Sequence, residues 1–166
     1  DYAHTPDAIY TALSSLKQIT NNKISIVFGC GGERDKNKRP KMAKLAKKFC
    51  EKIYVTDDNP RNENAQKIRN QIIKYLKGSN FFNIASRSLA IKKAISNAGP
   101  NEIILVAGKG HETYQDFGNK VISISDKAII KSTTHKVLNK SKKERNYLFN
   151  SKIINFIKRD KNYYKC

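Results

Sequence analysis

The sequence predicts an α/β fold in which a parallel sheet carries helices on both faces. Short apolar runs typical of buried strands alternate four times with segments whose apolar residues recur every three or four positions. The strand-like runs lack the polar and apolar alternation of a half-exposed strand, as expected for strands covered on both sides. Because crossovers between parallel strands are right-handed, such alternating units build one sheet with helices packed against it.

The predicted elements follow one another from the first residues onward. Thr5 and Pro6 form a helix start, because the hydroxyl can cap the helix and proline suits its first position. The predicted helices cover about residues 6–19, a segment that opens at Pro40, a segment containing residues 68–76, and residues 88–98. The predicted strands cover residues 23–28, 53–56, 81–85, 103–107 and 121–124, the last as an antiparallel edge strand after the turn at Gly118.

The chain of 166 residues has a formal net charge of +19, and this charge is unevenly distributed. Residues 1–130 hold 22 Lys and Arg against 12 Asp and Glu, whereas residues 131–166 hold 11 against 2. We therefore predict a folded domain over residues 1–130 and a basic extension, helical or disordered, over residues 131–166. An AT-rich genome also favours Lys, Asn and Ile at exposed positions, so the charge alone does not identify a nucleic-acid partner.

The chain shows no sign of export, membrane insertion or a disulfide framework. No apolar run reaches the roughly 18 residues of a spanning helix, and the first residues lack a signal-peptide pattern. Cys30, Cys50 and Cys166 are odd in number and form no CxxC pair, which argues against disulfides and a zinc site. We expect a cytoplasmic protein, and because the sequence begins without Met, we expect it to be part of a longer chain.

Polar loops follow three of the predicted strands. They contain Arg34, the run from Asp58 to Arg61, and the run from Gly108 to Glu112. Ligands of parallel sheets bind at the carboxyl ends of the strands, so we expect these loops to converge on one site. Arginine pairs with a carboxylate, while Asp, Asn or Glu accepts hydrogen bonds from an ammonium group, so the loops fit a zwitterionic amino acid.

Each loop also has a plainer interpretation. Residues 57–61 fit an Asx turn before a helix, which explains the Asp, Asn and Pro but not the arginine, and residues 108–112 fit a flexible turn. Gly29, Gly31 and Gly32 permit a close approach of the backbone to a ligand, but the third glycine of a dinucleotide fingerprint is absent at its required offset. The sequence contains no Ser-His-Asp arrangement, HExxH motif or P-loop.

Four motifs together are more specific than any single loop. They are DYAHTPDAI (1–9), FGCGGERDKNKRPKM (28–42), VTDDNPRNEN (55–64) and VAGKGHETYQ (106–115). In order and spacing they resemble the C-terminal domain of the Mur ligases, and within that family the members that add meso-diaminopimelate. The resemblance covers residues 1 to about 130 and implies a Rossmann-like domain. It also implies an ATP-dependent ligase that joins meso-diaminopimelate to UDP-MurNAc-L-Ala-D-Glu through an acyl phosphate, in peptidoglycan precursor synthesis.

The same resemblance implies roles for individual residues. The contacts of meso-diaminopimelate would be Arg34, Asp58, Asn59, Pro60, Arg61, Gly108 and Glu112. Asp1 and His4 would lie near the nucleotide, with Lys36 and Lys38 close to its phosphates. ATP and Mg²⁺ would bind mainly to a central domain outside this sequence. The resemblance therefore implies no catalytic and no metal-binding residue in this chain, and no activity of the chain alone.

The alternative hypothesis is a basic module of Rossmann-like fold that binds RNA or DNA through residues 131–166 and the Lys-rich helices. The two hypotheses differ in their partners. The ligase domain binds meso-diaminopimelate, and meets UDP-MurNAc-L-Ala-D-Glu and ATP through its other domains. It needs neither a nucleic acid nor a membrane.

Overall fold

The sheet consists of four parallel strands with helices on both faces, as predicted. The structure is a computed structural model that describes residues 3–143, with the side chains of residues 3–137. The helices are α1 (Pro6–Ile19), α2 (Lys38–Phe49), α3 (Ala65–Ile73), α4 (Arg87–Ser96) and α5 (Asp126–Lys143). The strands are β1 (Ile24–Phe28), β2 (Lys52–Val55), β3 (Phe81–Asn83), β4 (Ile103–Val106), β5 (Tyr114–Asp116) and β6 (Val121–Ser123). None of the described helices is long and apolar enough to cross a membrane.

β1 is the central strand of the sheet, whose order is β3-β2-β1-β4. It pairs in parallel with β2 on one side, where Phe28 lies beside Val55, and with β4 on the other, where Val27 lies beside Val106. All five residues of β1 are buried, in agreement with its uninterrupted apolar sequence. The carboxyl ends of β1, β2 and β4 therefore lie next to one another at one edge of the sheet.

The side chains of the strands alternate between two apolar cores. Ile26 and Ile53 pack on one face with buried residues of α1, α2 and α3. Val27 and Tyr54 pack on the opposite face with buried residues of α4 and α5. This alternation is the period of two that a pleated strand imposes, and here both faces are covered.

Hydroxyl caps fix where two of the helices begin. Thr5 has an extended backbone and accepts a hydrogen bond from Ala8 N at 3.2 Å, so α1 begins at Pro6 as predicted. Ser86 accepts a hydrogen bond from Leu89 N at 3.3 Å, so α4 begins at Arg87, one residue before the predicted start. The preceding strand, β3, ends at Asn83, two residues before its predicted end.

β6 is the predicted antiparallel strand, but it belongs to a separate sheet. It pairs with β5 alone, with Gln115 beside Ile122, and these two strands form a two-stranded sheet of their own. The hairpin attaches instead to the loop after β2, because Arg61 N donates to the Asp116 carbonyl at 3.0 Å. This bond places the hairpin beside the carboxyl ends of the parallel strands, and the predicted antiparallel strand is present in a two-stranded sheet of its own.

A buried ion pair attaches α5 to α4. Arg87 Nε donates to Asp126 Oδ1 at 2.8 Å, and Arg87 Nη2 donates to Asp126 Oδ2 at 2.6 Å. Nη2 also donates to the Ala107 carbonyl at 2.9 Å, just after β4. The Arg87 side chain is fully buried, and a buried guanidinium needs such partners because an unpaired buried charge is costly.

α5 continues past residue 130, the predicted end of the folded domain. Thr133 is buried, and Val137 packs against the core that α4 and α5 share. The helix includes residues 131–143 of the predicted basic extension, and residues 144–166 lie outside the described residues. The division into residues 1–130 and 131–166 therefore stays a prediction.

A second buried arginine, Arg39, joins α2 to the loop before α3. Its two terminal nitrogens each donate to Glu63 at 2.7 Å, and Nη1 also donates to Gln71 Oε1 at 2.6 Å. The hydrogen bonds from Arg39 are the largest cause that lowers the pKa of Glu63, from 4.5 to about 2. Glu63 also accepts from Glu33 N at 3.2 Å, so it links the loops that follow β1 and β2.

We expect this ion pair to make the stability of the fold depend on pH in the acid range. The pKa of Glu63 is about 2 in the folded chain against an ordinary value of 4.5, so its contribution is present above pH 4.5 and lost as the pH falls toward 2. Denaturant unfolding of the wild type and of Glu63→Gln, at about pH 6 and about pH 3, measures this. The stability difference between them should shrink at the lower pH, and a constant difference would contradict the expectation.

We also expect a chain that ends at residue 130 to be less stable than one that ends at residue 143. The shorter chain lacks the turns of α5 that carry Thr133 and Val137, and so loses part of the core under α4. Burial of side chains of this size contributes on the order of 2 kcal/mol. Thermal unfolding of both chains and of the full 166 residues provides the comparison, and equal melting temperatures would show that the fold is complete at residue 130.

Candidate functional site

Three loops meet in a pocket at the carboxyl edge of the sheet. They follow β1, β2 and β4, and the pocket between them has a volume of about 120 Å³. The residues that line it are His4, Gly31, Arg34, Lys38, Asp58, Asn59, Arg61, Gly108 and Glu112. The structure thus brings together one or more residues from each of the three loops singled out in the sequence.

The loops after β1 and β2 pack backbone against backbone. Gly32 N donates to the Asn59 carbonyl at 2.9 Å. A Cβ at Gly29 would lie 2.4 Å from the Thr56 carbonyl oxygen, and a Cβ at Gly32 would lie 1.9 Å from the Pro60 carbonyl oxygen. No side chain fits at either position, so these glycines permit contact between the two loops, whereas the sequence suggested contact with a ligand.

Hydrogen bonds of both its backbone and its side chain hold Arg61 in place. Its φ of +52° lies in the left-handed region, which is uncommon for a residue other than glycine. The hydrogen bond from its N–H to Asp116 holds this conformation, and Nη1 donates to the Gly32 carbonyl at 2.8 Å. Within residues 3–143, Nε and Nη2 make no hydrogen bond, so these donors remain available at the pocket.

Arg34 lines the pocket from an exposed position on the loop after β1. None of the residues that the structure describes makes a hydrogen bond with its guanidinium. All five of its N–H donors are therefore available to a ligand. Together with Arg61 it supplies the cationic side of the pocket.

The other residues predicted from the resemblance are placed differently from one another. His4 and Lys38 line the pocket, and Lys38 Nζ donates to the His4 carbonyl at 3.1 Å. Lys36 is exposed and is absent from the lining, whereas Pro60 is buried behind it. Asp1 lies outside the described residues.

The acidic side of the pocket is formed by Asp58 and Glu112, which share one buried cation. Lys109 Nζ lies 3.2 Å from Asp58 Oδ1 and 3.1 Å from Glu112 Oε2. It also donates to Asn59 Oδ1 at 2.8 Å. Sequence reasoning placed residues 108–112 at the site but assigned contacts only to Gly108 and Glu112, and so missed Lys109. The signal that was present is a lysine between two glycines, directly after a buried strand.

Asp57 supports the pocket from behind although it precedes Asp58 directly. It is paired with Arg69 of α3, and this carboxyl does not line the pocket. Burial raises the pKa of Asp57, even though the hydrogen bond from Arg69 acts in the opposite direction. The side chains of these two neighbours point in different directions, so Asp57 has a structural role while Asp58 faces the pocket.

The charges of the pocket suit the binding of a ligand that carries charges of both signs. Donors of Arg34 and Arg61 and acceptor oxygens of Asp58 and Glu112 meet in one small volume, which fits a ligand carrying both carboxylate and ammonium groups. Burial raises the pKa of Cys30 to about 12, which favours its neutral thiol. Within the described part of the chain, no group of three or more His, Cys, Asp and Glu could hold a metal ion.

Comparison with known proteins supplies independent findings. The profile of the family described as "Mur ligase, glutamate ligase domain" matches residues 1–110. The protein named UDP-N-acetylmuramoyl-L-alanyl-D-glutamate--2,6-diaminopimelate ligase in Rickettsia montanensis is 48% identical over 133 residues, which are 79% of this chain and 28% of that protein. The protein of the same name in Bacillus licheniformis is 44% identical over 131 residues, which are 79% of this chain and 27% of that protein.

A solved structure of a protein with that name is also similar. It shares 36% sequence identity and superposes with a TM-score of 0.77, covering 83% of this chain and 29% of its own. The chain therefore spans between a quarter and a third of the length of these relatives.

The likenesses decide between the two hypotheses drawn from the sequence. The relatives are named as ligases, and the alternative of a nucleic-acid-binding module finds no support among them. The superposition also agrees with the predicted α/β fold class. Ligases of this family depend on ATP, and the matched part of each relative corresponds to one domain. The chain belongs to the Mur ligase family, in which it corresponds to the C-terminal domain.

Proposed function

We propose that this chain is the amino-acid-binding domain of a ligase that adds meso-diaminopimelate to UDP-MurNAc-L-Ala-D-Glu in peptidoglycan precursor synthesis. In this reaction ATP phosphorylates the γ-carboxylate of D-glutamate, and the amine of meso-diaminopimelate then displaces phosphate from the acyl phosphate. The part of this domain is to hold and orient the attacking amino acid. The observation that carries the proposal is the meeting of Arg34 and Arg61 with Asp58 and Glu112 in one pocket.

The two arginines suit the two carboxylates of meso-diaminopimelate. A guanidinium can hold a carboxylate through two parallel hydrogen bonds, which adds direction to the attraction of charge. In the proposal Arg61 holds the distal carboxylate with Nε and Nη2, the donors that no described residue uses. Lysine lacks this carboxylate, so Arg61 would favour meso-diaminopimelate over lysine.

The acceptors of the pocket suit the ammonium groups of the same ligand. We assign the distal ammonium to Glu112 and to the carbonyl of Gly108, both of which line the pocket. Asn59 contributes less to the ligand than the resemblance implies, because its Oδ1 already accepts from Lys109 Nζ and from Asp116 N at 3.1 Å. Pro60 acts through the shape of the loop, since it is buried outside the lining.

ATP and Mg²⁺ are proposed to bind mainly outside this chain. The described residues provide no cluster of metal ligands, so no step through a metal ion is assigned to them. His4 and Lys38 line the pocket, and Lys36 lies in the loop directly before Lys38, the first residue of α2. In the assembled ligase these groups would lie toward the phosphates, together with Asp1. We further propose that the ligase acts in the cytoplasm and needs neither a membrane nor a nucleic acid.

Arg34→Ala should weaken binding of the amino acid without disturbing the fold. Its guanidinium makes no hydrogen bond to any described residue, and a hydrogen bond to a charged group contributes about 1.5 to 3 kcal/mol. In a complete ligase that carries this domain, the KM for meso-diaminopimelate should rise by about tenfold or more, while the KM for ATP and the melting temperature should barely change. An unchanged KM for meso-diaminopimelate would remove Arg34 from the site.

Arg61→Ala should raise the KM for meso-diaminopimelate by at least about tenfold and also lower the melting temperature, because Arg61 bonds the Gly32 carbonyl. Lysine should gain relative to meso-diaminopimelate as a substrate, since it has no distal carboxylate to lose. Activity with both amino acids, measured as ADP release, is the readout. An equal loss for both would mean that Arg61 supports the loops and does not discriminate between the substrates.

The chain by itself should release no ADP in the presence of UDP-MurNAc-L-Ala-D-Glu, meso-diaminopimelate and ATP. The reason is that its sequence contains no P-loop to hold the phosphates. The complete ligase, assayed under the same conditions, is the positive control. Turnover by residues 1–166 alone would contradict the proposed division of roles between domains.

A further inference from the structure

Lys109 is an unusual lysine because its side chain is fully buried at a polar pocket. It follows β4, between Gly108 with φ of +111° and Gly110 with φ of +53°. These two glycines adopt backbone conformations that other residues rarely reach, and they turn the chain on both sides of Lys109. The loop thus places the lysine at the pocket by its backbone path, in a position where a charge must find partners.

The ammonium group of Lys109 lies among three side-chain oxygens of the protein. It donates hydrogen bonds to Asn59 Oδ1 at 2.8 Å and to Glu112 Oε2 at 3.1 Å, and it forms an ion pair with Asp58 Oδ1 at 3.2 Å. An ammonium has three N–H donors and no acceptor, and here it is fully buried among these protein oxygens. Because its side chain is fully buried and does not line the pocket, Lys109 acts on a ligand through these three side chains.

Lys109 takes only one oxygen of each carboxylate. Among the described residues, no hydrogen bond reaches Asp58 Oδ2 or Glu112 Oε1. A Cβ at Gly108 would lie 3.2 Å from Asp58 Oδ2, which places this oxygen beside another residue that lines the pocket. One oxygen of each carboxylate is thus anchored by Lys109, and the other remains available as an acceptor.

Asn59 completes the network and shows that it is a rigid unit. Its Oδ1 accepts from Lys109 Nζ and from Asp116 N, while its Nδ2 donates to Glu112 Oε2 at 3.1 Å. The opposite orientation of the amide would turn its NH₂ toward two donors, so the network determines how Asn59 is oriented. Lys109 thereby joins the loops after β2 and β4, and Asn59 connects them to the hairpin through Asp116.

We propose that Lys109 is a positioning residue for the amino-acid substrate, whose buried ammonium anchors one oxygen of Asp58 and one of Glu112 so that their other oxygens receive the substrate's ammonium groups. This inference rests on the proposed function and assigns a role to a residue that the sequence did not single out. Without Lys109, two neighbouring carboxylates would repel each other and lose the orientation that a substrate ammonium requires.

The test uses a complete ligase carrying this domain and the variant Lys109→Met, which keeps the length of the side chain and removes the charge. The KM for meso-diaminopimelate should rise by at least about tenfold, while the KM for ATP should stay within about twofold. Lys109→Gln, which still donates two hydrogen bonds, should show a smaller rise and serves as the measured variant should Lys109→Met fail to fold. A KM for meso-diaminopimelate that is unchanged in a folded variant would overturn the proposal.

A matched control separates positioning from general support of the fold. Lys52 pairs with the buried Glu102 at 2.7 Å. It is the first residue of β2 and therefore lies at the amino end of that strand, away from the pocket at the carboxyl ends. Lys52→Met should lower the melting temperature and leave the KM for meso-diaminopimelate within about twofold. If both lysine variants raised this KM in proportion to their loss of stability, Lys109 would have only a structural role and the proposal would fail.

A double variant tests whether Lys109 acts through Glu112. If it does, Lys109→Met should raise the KM for meso-diaminopimelate less in a Glu112→Gln background than in the wild type, because the anchored carboxylate is already absent. If the two substitutions raised this KM independently, so that their fold-changes multiplied in the double variant, the inference would be overturned. Should the wild-type ligase fail to use meso-diaminopimelate at all, the proposed function falls and the inference with it, whereas normal wild-type activity with unaffected Lys109 variants rejects the inference alone.

Discussion

The parallel pairing of β1 with both β2 and β4 is the constraint on which the pocket depends. It aligns Phe28 with Val55 and Val27 with Val106, so the loops that follow the three strands leave the sheet at the same edge. Burial on both faces maintains this register, because a slip of one residue would exchange every side chain between the two cores. The loops are then locked by contacts that only glycine permits, at Gly29 and Gly32.

Three fully buried cations perform distinct tasks around this arrangement. Arg39 joins α2 to Glu63 and thereby supports the loops after β1 and β2. Arg87 holds α5 against α4 through Asp126, and Lys109 gathers Asp58, Asn59 and Glu112 at the pocket. A net charge of +19 gives no indication of these roles, because the charges that matter to the structure are those removed from water and paired, whereas exposed ones are screened.

The regular elements were predictable because their signals are local. Thr5 and Pro6 predict the start of α1, and the uninterrupted apolar runs predict strands that are buried on both faces. The sequence left open those features that a contact distant in sequence decides. The β5–β6 hairpin forms a separate sheet whose Asp116 carbonyl accepts from Arg61 N, and α5 continues past residue 130, where Thr133 is buried and Val137 packs against the core shared with α4.

The same division applies to the site. The sequence by itself determined the chemistry of the three loops, since arginines, carboxylates and glycines after successive strands indicate a charged ligand at one edge of a parallel sheet. Only the tertiary structure decided which side chains face the pocket, namely Asp58 and not Asp57, Lys38 and not Lys36, and which residue anchors them. The physical reason is that Lys109 acquires its partners from residues 50 and 51 positions away as well as from Glu112 three positions on, and the free energy of burying its charge is settled only when those loops meet.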